Sequence, residues 1–169
     1  MTMITAKPSP IIFDFNHDSD LNNWIIVDDV VMGGKSAGSL GLDPLGYGVF
    51  QGLISLDNNG GFSSVRYRFN RRVISNYTKI SLKIKGDRKN YQFRIKSNSD
   101  DYYSYISTFS TTGEWQYVEI PLNTMYPAFR GRTIDKPNFS EGYIEEIAFL
   151  IGNKNEESFK LLIDKIELM

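Results

Sequence analysis

Two residues able to do acid–base chemistry sit side by side in an apolar run. The stretch Trp24 to Ser36, WIIVDDVVMGGKS, sets Asp28 and Asp29 among aliphatic residues and closes on Gly33-Gly34. Paired carboxylates cleave glycosides when they face each other across a bond at about 5–9 Å. Neighbours in an extended chain point to opposite faces, so this pair is poorly disposed for such work. The spacing instead predicts a bracing aspartate that accepts hydrogen bonds from the Met32–Gly34 turn. Loop carboxylates and carbonyls also suit Ca²⁺, and Asp14 and Asp164 are the other candidates for that lesser role. No metal is assigned.

Other catalytic chemistry has little to build on. The chain has no cysteine, which removes disulfides, thiolate metal sites and cysteine nucleophiles. Its single histidine, His17, lies in the polar stretch NHDSD, where a solvated side chain is expected. No nucleophile–base–orienter set can be assembled, so the expectation is a protein that is not an enzyme and carries no cofactor. The glycine doublets Gly33-Gly34 and Gly60-Gly61 fit sharp corners, where positive φ or close chain approach is needed. A phosphate cradle would need a helix N-terminus behind it, whereas NNGGF leads straight into a strand pattern.

Residues suited to binding are easier to find. In GDRKNY, Asp87 and Arg88 fall at a hairpin tip with Tyr91 just beyond, a set able to engage a polar ligand or to cap the turn. In FRGR, Arg130 and Arg132 flank a glycine, and guanidinium forks suit carboxylates and phosphates. Asn59 and Arg66 join Asp29, Asp87, Arg88, Tyr91, Arg130 and Arg132 as the candidate ligand- or partner-binding residues. Met125, Tyr126 and Phe129 are either a protein-binding patch or a plug over one end of the fold. Trp24 and Trp115 are expected in the core.

The elements that must position these residues are strands. ISLKIKG, YQFRIKS and SSVRYRF alternate apolar and polar residues with period two. Further candidates are Ile11–Phe15, Tyr47–Leu56, Tyr103–Phe109, Trp115–Ile120, Ile144–Ile151 and Phe159–Leu168, with one helical turn allowed ahead of Ile144. Turn signals separate them: DNNGG, KGDRKN, STTGE and GNKNEES. About nine strands with short polar turns predict an all-β fold, an antiparallel β-sandwich. With 169 residues, 41% of them hydrophobic, residues 11–169 are read as a single domain. The segment 123–140 is the longest without a regular pattern. Residues 1–10 are read as an N-terminal extension, disordered or foreign, since MTMIT resembles the β-galactosidase leader of cloning vectors. No apolar run approaches the roughly 18 residues of a membrane span. The opening residues lack secretory or mitochondrial targeting features, which predicts a cytoplasmic protein.

Charge is segregated along the chain. Residues before Ser63 carry a balance of −5, Ser63–Ser97 carry +10, and the remainder carries −6. Arg66, Arg68, Lys83, Lys85, Arg94 and Lys96 all alternate with core positions. If their strands share a sheet they form one basic surface; otherwise they merely solubilise strand exteriors. The second reading is preferred, because consecutive sandwich strands often lie in different sheets. Nucleic acid is disfavoured as a partner by the near-neutral net charge and the lack of a known binding module.

Read together, the motifs resemble one family. WIIVDDVVMGGKS is followed by FQGLISLDNNGGFSSVR from Phe50, GDRKNYQFR from Gly86, GEWQYVEIP from Gly113, FRGR from Phe129 and a closing FKLLIDKI. This order and spacing resemble the complex I intermediate-associated protein 30 family from about Ile12 to the C-terminus. The resemblance implies a galactose-binding-domain-like jelly roll, a fold shared with carbohydrate-binding modules. It also implies an assembly-factor or chaperone-like role toward NADH:ubiquinone oxidoreductase, with respiratory-complex subunits or assembly intermediates as partners. The alternative is a carbohydrate-binding module with a glycan ligand.

Overall fold

The computed structural model describes residues 9–169; the extension read over residues 1–10 lies mostly outside the described residues. The strands are β1 (Ile11–Asp14), β2 (Trp24–Asp28), β3 (Ala37–Leu42), β4 (Gly48–Ile54), β5 (Ser63–Val73), β6 (Lys79–Lys85), β7 (Asn90–Lys96), β8 (Ser104–Ser110), β9 (Trp115–Pro121), β10 (Tyr126–Phe129), β11 (Arg132–Thr133), β12 (Tyr143–Ile151) and β13 (Glu157–Leu168). One sheet runs β3-β4-β13-β6-β9, with β1 also pairing β13. The other runs β11-β10-β8-β7-β12-β5-β2. The strand pairs within both sheets are antiparallel. The fold is an antiparallel β-sandwich, as the alternation predicts. Among the described residues, no helix is long and apolar enough to cross a membrane.

Each sheet turns its alternate apolar residues toward the other. Ile80, Leu82 and Ile84 of β6 meet Tyr91, Phe93 and Ile95 of β7 and Ile147, Phe149 and Ile151 of β12 in one core. Phe13, Phe15, Trp24 and Tyr67 fill one part of it, with ring centroids 4.5–5.4 Å apart. Burying such large side chains is the dominant favourable term for a fold of this kind.

Several elements depart from the sequence reading. β3, with two glycines in AGSLGL, carries too little strand propensity to stand out. The segment 123–140 is not irregular throughout: β10 pairs β8 and turns tightly into β11. No helical turn precedes β12, which is extended from Tyr143. Trp24 is buried, but Trp115 is not a core residue. On β9 the inward positions are Val118 and Ile120, so Trp115 and Tyr117 face outward beside Tyr47 and Lys83.

Candidate functional site

Both aspartates of the apolar run are committed to structure. Asp29 is buried, and its Oδ1 accepts from the Ser36 amide at 2.9 Å. Its Oδ2 accepts from Ser36 Oγ (2.5 Å), the Gly61 amide (2.6 Å) and the Phe62 amide (3.2 Å). Burial by itself would raise the carboxyl pKa; the bonds from Ser36, Gly61 and Phe62 outweigh it and hold the group below its ordinary value. The brace therefore spans two glycine corners rather than the Met32–Gly34 turn. Within each doublet the glycines divide the work. Gly33 and Gly61 adopt positive φ, while a Cβ on Gly34 or Gly60 would strike the Asp29 carboxylate. Asp28 links the two sheets: Oδ2 accepts from the Gly38 amide at 2.9 Å and Oδ1 from Ser63 Oγ at 2.5 Å.

The remaining candidates do not gather at one place. Asn59 is exposed beside this corner, and its neighbour Asn58 makes the bond to the Gly33 carbonyl at 3.0 Å. Asp87 Oδ1 accepts from the Tyr91 hydroxyl at 2.9 Å, and Oδ2 from the Lys160 amide at 2.8 Å. Asp87 thus pins its hairpin to β13, and the Tyr91 ring lies in the core, 1% exposed. Arg88 is exposed at the tip with φ of 67°. Arg130 and Gly131 form the β10–β11 turn with φ of 49° and 77°, the positive values a two-residue hairpin requires. Arg130 stacks beside Phe129, and Arg132 is exposed. The register separates these two arginine sites. The Ser110 end of β8 meets Asn90, next to Arg88, while its Ser104 end meets Ala128, next to the FRGR turn. Met125 and Phe139 are buried in the core, and the Phe139 amide donates to the Met125 carbonyl. Asp14 is exposed, and the Asp164 carboxylate lies 3.2 Å from Lys83 Nζ. Among the described residues no three histidine, aspartate or glutamate side chains gather to hold a metal ion.

Arg66 leads to a larger feature. β12 lies between β5 and β7, which places their outward residues on one face. One cross-strand row reads Ile25, Arg66, Ala148, Arg94, Ile106, Tyr126. The adjoining row reads Arg68, Glu146, Lys96. Four of the six outward basic residues therefore do form one surface, while Lys83 and Lys85 lie on the other sheet. Glu146, 2% exposed, is the counter-charge within these rows, and Arg68 Nε contacts its Oε1 at 2.7 Å. Lys96 Nζ donates to the Asp101 carbonyl at 2.6 Å. Burial lowers the Lys96 pKa, a shift that Glu146 opposes and Arg66 and Arg68 reinforce. Arg94 Nε and Nη2 both donate to the neutral Gln92 Oε1, at 2.9 and 2.7 Å. Burial, with Arg66 adding repulsion, brings Arg94 down to about 10, so it is still charged at neutral pH. Glu146 is the one charged residue of these rows that sequence reasoning passed over; an acidic pair inside the apolar strand YIEEIAFLI was its only signal.

Residues 13–163 match the family described as Complex I intermediate-associated protein 30 (CIA30). Two curated relatives bear the name "Complex I intermediate-associated protein 30, mitochondrial". The one from Drosophila melanogaster is 24% identical over 148 residues, covering 75% of this chain and 50% of that protein. The one from Mus musculus is 24% identical over 186 residues, covering 96% of this chain and 57% of that protein. The chain thus spans about half the length of the curated relatives it matches. The cytoplasmic placement read from the opening residues is corrected here, because both relatives are named as mitochondrial. Among solved structures, the fold is similar to the family 11 carbohydrate-binding module from Clostridium thermocellum in complex with a β-1,3-1,4-mixed-linked tetrasaccharide. That module is 20% identical, with a TM-score of 0.72 and coverage of 98% of this chain and 97% of the module. TmCBM61 in complex with β-1,4-galactotriose is 11% identical with a TM-score of 0.53, covering 96% of this chain and 99% of that one. At these identities the likeness is one of fold, the galactose-binding-like sandwich.

Proposed function

Because the chain belongs to the complex I intermediate-associated protein 30 family, we propose that residues 11–169 act as one non-enzymatic binding domain in assembly of NADH:ubiquinone oxidoreductase. It acts in the mitochondrial setting that its relatives' names carry, holding a subunit or assembly intermediate in a chaperone-like way. One observation carries the choice of surface: the Arg66, Arg68, Arg94 and Lys96 face has more fixed positive charge than its own carboxylate neutralises. Charged faces steer partners and fix their register, as an assembly factor requires. The non-catalytic reading is supported by the carboxylates of the apolar run, whose oxygens already receive the backbone and serine donors of two loops and two strands.

Affinity capture of the tagged chain from mitochondria, with complex I subunits identified by mass spectrometry, tests this. Enrichment of subunits or partly assembled complex is the expected result; their reproducible absence would overturn it. A glycan-binding alternative has one specific observation in its favour. Tyr47 and Trp115 pack at 4.6 Å on the outer face of the other sheet, beside the exposed Tyr117. Isothermal titration with a mixed-linked tetrasaccharide separates the two. The assembly reading predicts no heat of binding, and saturable binding lost in Trp115→Ala would favour the glycan.

A further inference from the structure

Within the two rows of the basic face, Arg66, Arg68, Arg94 and Lys96 stand against Glu146 alone. Glu146 is engaged by Arg68, and Lys96 finds a carbonyl, not a carboxylate. Arg94 spends two of its donors on a neutral amide oxygen. The Arg66 guanidinium has no hydrogen bond or ion pair among the described residues. A cation taken out of water without an anion is unfavourable, so folded proteins seldom hold one without a use for it. Here two lie on the same row, separated by the methyl of Ala148. Their strands are two inter-strand spacings apart, about 10 Å, which long side chains bridge easily.

From this juxtaposition we infer that Arg66 and Arg94 form an anion-binding site that recognises carboxylates on an acidic segment of a protein partner. The inference rests on the proposed partner-binding role of this face and names the chemistry it reads. Guanidinium groups offer five donors in a planar fork matched to carboxylates, and most of those on this pair are uncommitted. The surroundings favour a peptide over other polyanions. Ile25 is exposed at one end of the row, and the buried Ile106 and Leu150 floor it beside the arginines, so the site is aliphatic and charged. Sugars and nucleobases are gripped by stacking, and the aromatic on this row, Tyr126, lies beyond Ile106.

The test uses the full chain and fluorescence anisotropy of a short labelled peptide alternating Glu and Thr. The matched peptide alternating Gln and Thr, an oligo-dT strand and an oligogalacturonate are the other probes. The Glu peptide is expected to bind, with the Gln peptide weaker by about tenfold or more, the scale of a charge-assisted bond. Arg66→Ala and Arg94→Met should each weaken it by about tenfold, with Lys83→Ala unchanged. Their melting temperatures should stay close to the parent's, because neither arginine makes an ion pair among the described residues and Glu146 acts on Arg94 only through space. A structural role for Arg94 predicts the opposite, a clear fall in melting temperature, and that result would overturn the inference. So would equal binding of the Gln peptide, or tighter binding of oligo-dT or oligogalacturonate. Self-association abolished by Arg66→Glu would put a second copy of the chain on the face instead, and also overturns it. The two readings fail separately. Captured complex I subunits that depend on this face, without Glu-peptide binding, would refute the carboxylate site and leave the assembly role standing. Glu-peptide binding without any captured subunit would do the reverse.

Discussion

Replacing Asp29 by Asn is the sharpest perturbation of the corner that opens this sandwich. The substitution is nearly isosteric, so it changes hydrogen bonding and charge without leaving a cavity. Oδ2 receives three donors and Oδ1 one. An asparagine oriented to keep its oxygen at the triple site must turn its NH₂ toward the Ser36 amide. That replaces an acceptor by a donor in a buried place. Leaving one buried donor unsatisfied costs about 1–3 kcal/mol, and weakening three charge-assisted bonds to neutral ones adds about 1–2 kcal/mol more. The expected loss is about 3 kcal/mol, which in a domain of this size lowers the melting temperature by about 6–12 °C. Scanning calorimetry at neutral pH with urea unfolding as a cross-check gives the value. The pH dependence supplies a second sign. The folded pKa is depressed, so the charge contribution is complete above the unfolded carboxyl value of about 3.9 and disappears as pH falls through the lower folded value. The gap between parent and variant should therefore hold from neutral pH down to about 4 and narrow below it. A loss under about 1 kcal/mol, or a gap that widens in acid, would refute the bracing role.

Three further outcomes follow from the same contacts. Gly34→Ala should destabilise by about 2–4 kcal/mol in urea unfolding because its Cβ meets the pinned Asp29 carboxylate, whereas Gly33→Ala, with open space and φ of 86°, should cost only about 1–2 kcal/mol. Glu146→Gln leaves Arg68 and Lys96 facing a neutral amide and should cost about 2–3 kcal/mol by the same measurement, less than a fully buried pair because Arg68 is half exposed. Tyr91→Phe removes the hydroxyl that donates to Asp87 and should lower stability by about 1 kcal/mol, with any ligand titration of the domain unchanged.

Much of the fold could be read from period-two alternation, because strands with one apolar face announce themselves. The strands from Lys79 and Asn90 did so through Ile80, Leu82 and Ile84 and through Tyr91, Phe93 and Ile95. β3 did not, since glycine stands where the chain is crowded: a Cβ on Gly38 would strike Ser63 Oγ, and one on Gly52 of β4 would strike the Ala37 carbonyl across the β3–β4 pair. β10 and β11 were hidden by Pro127 and by their brevity. The basic face was half legible. Alternation showed that Arg66, Arg68, Arg94 and Lys96 point outward, but their shared surface depends on β12, distant in sequence, pairing with both β5 and β7. The outward residues Ala148 and Leu150 are apolar, so nothing local marked that strand as the bridge. Tyr91 misled for a related reason: a hydroxyl that only needs the Asp87 carboxylate looks, in sequence, like one awaiting a ligand.

The binding role of the basic face is tested most directly by comparing charge reversals on the two sheets. Arg66→Glu/Arg94→Glu and Lys83→Glu/Lys85→Glu change net charge equally, on opposite outer faces of the sandwich. Captured complex I subunits, quantified by mass spectrometry against the parent chain, should fall by about tenfold or more for the first pair and stay near parent level for the second. Equal retention by both, or selective loss with the second, would contradict the assignment of this face.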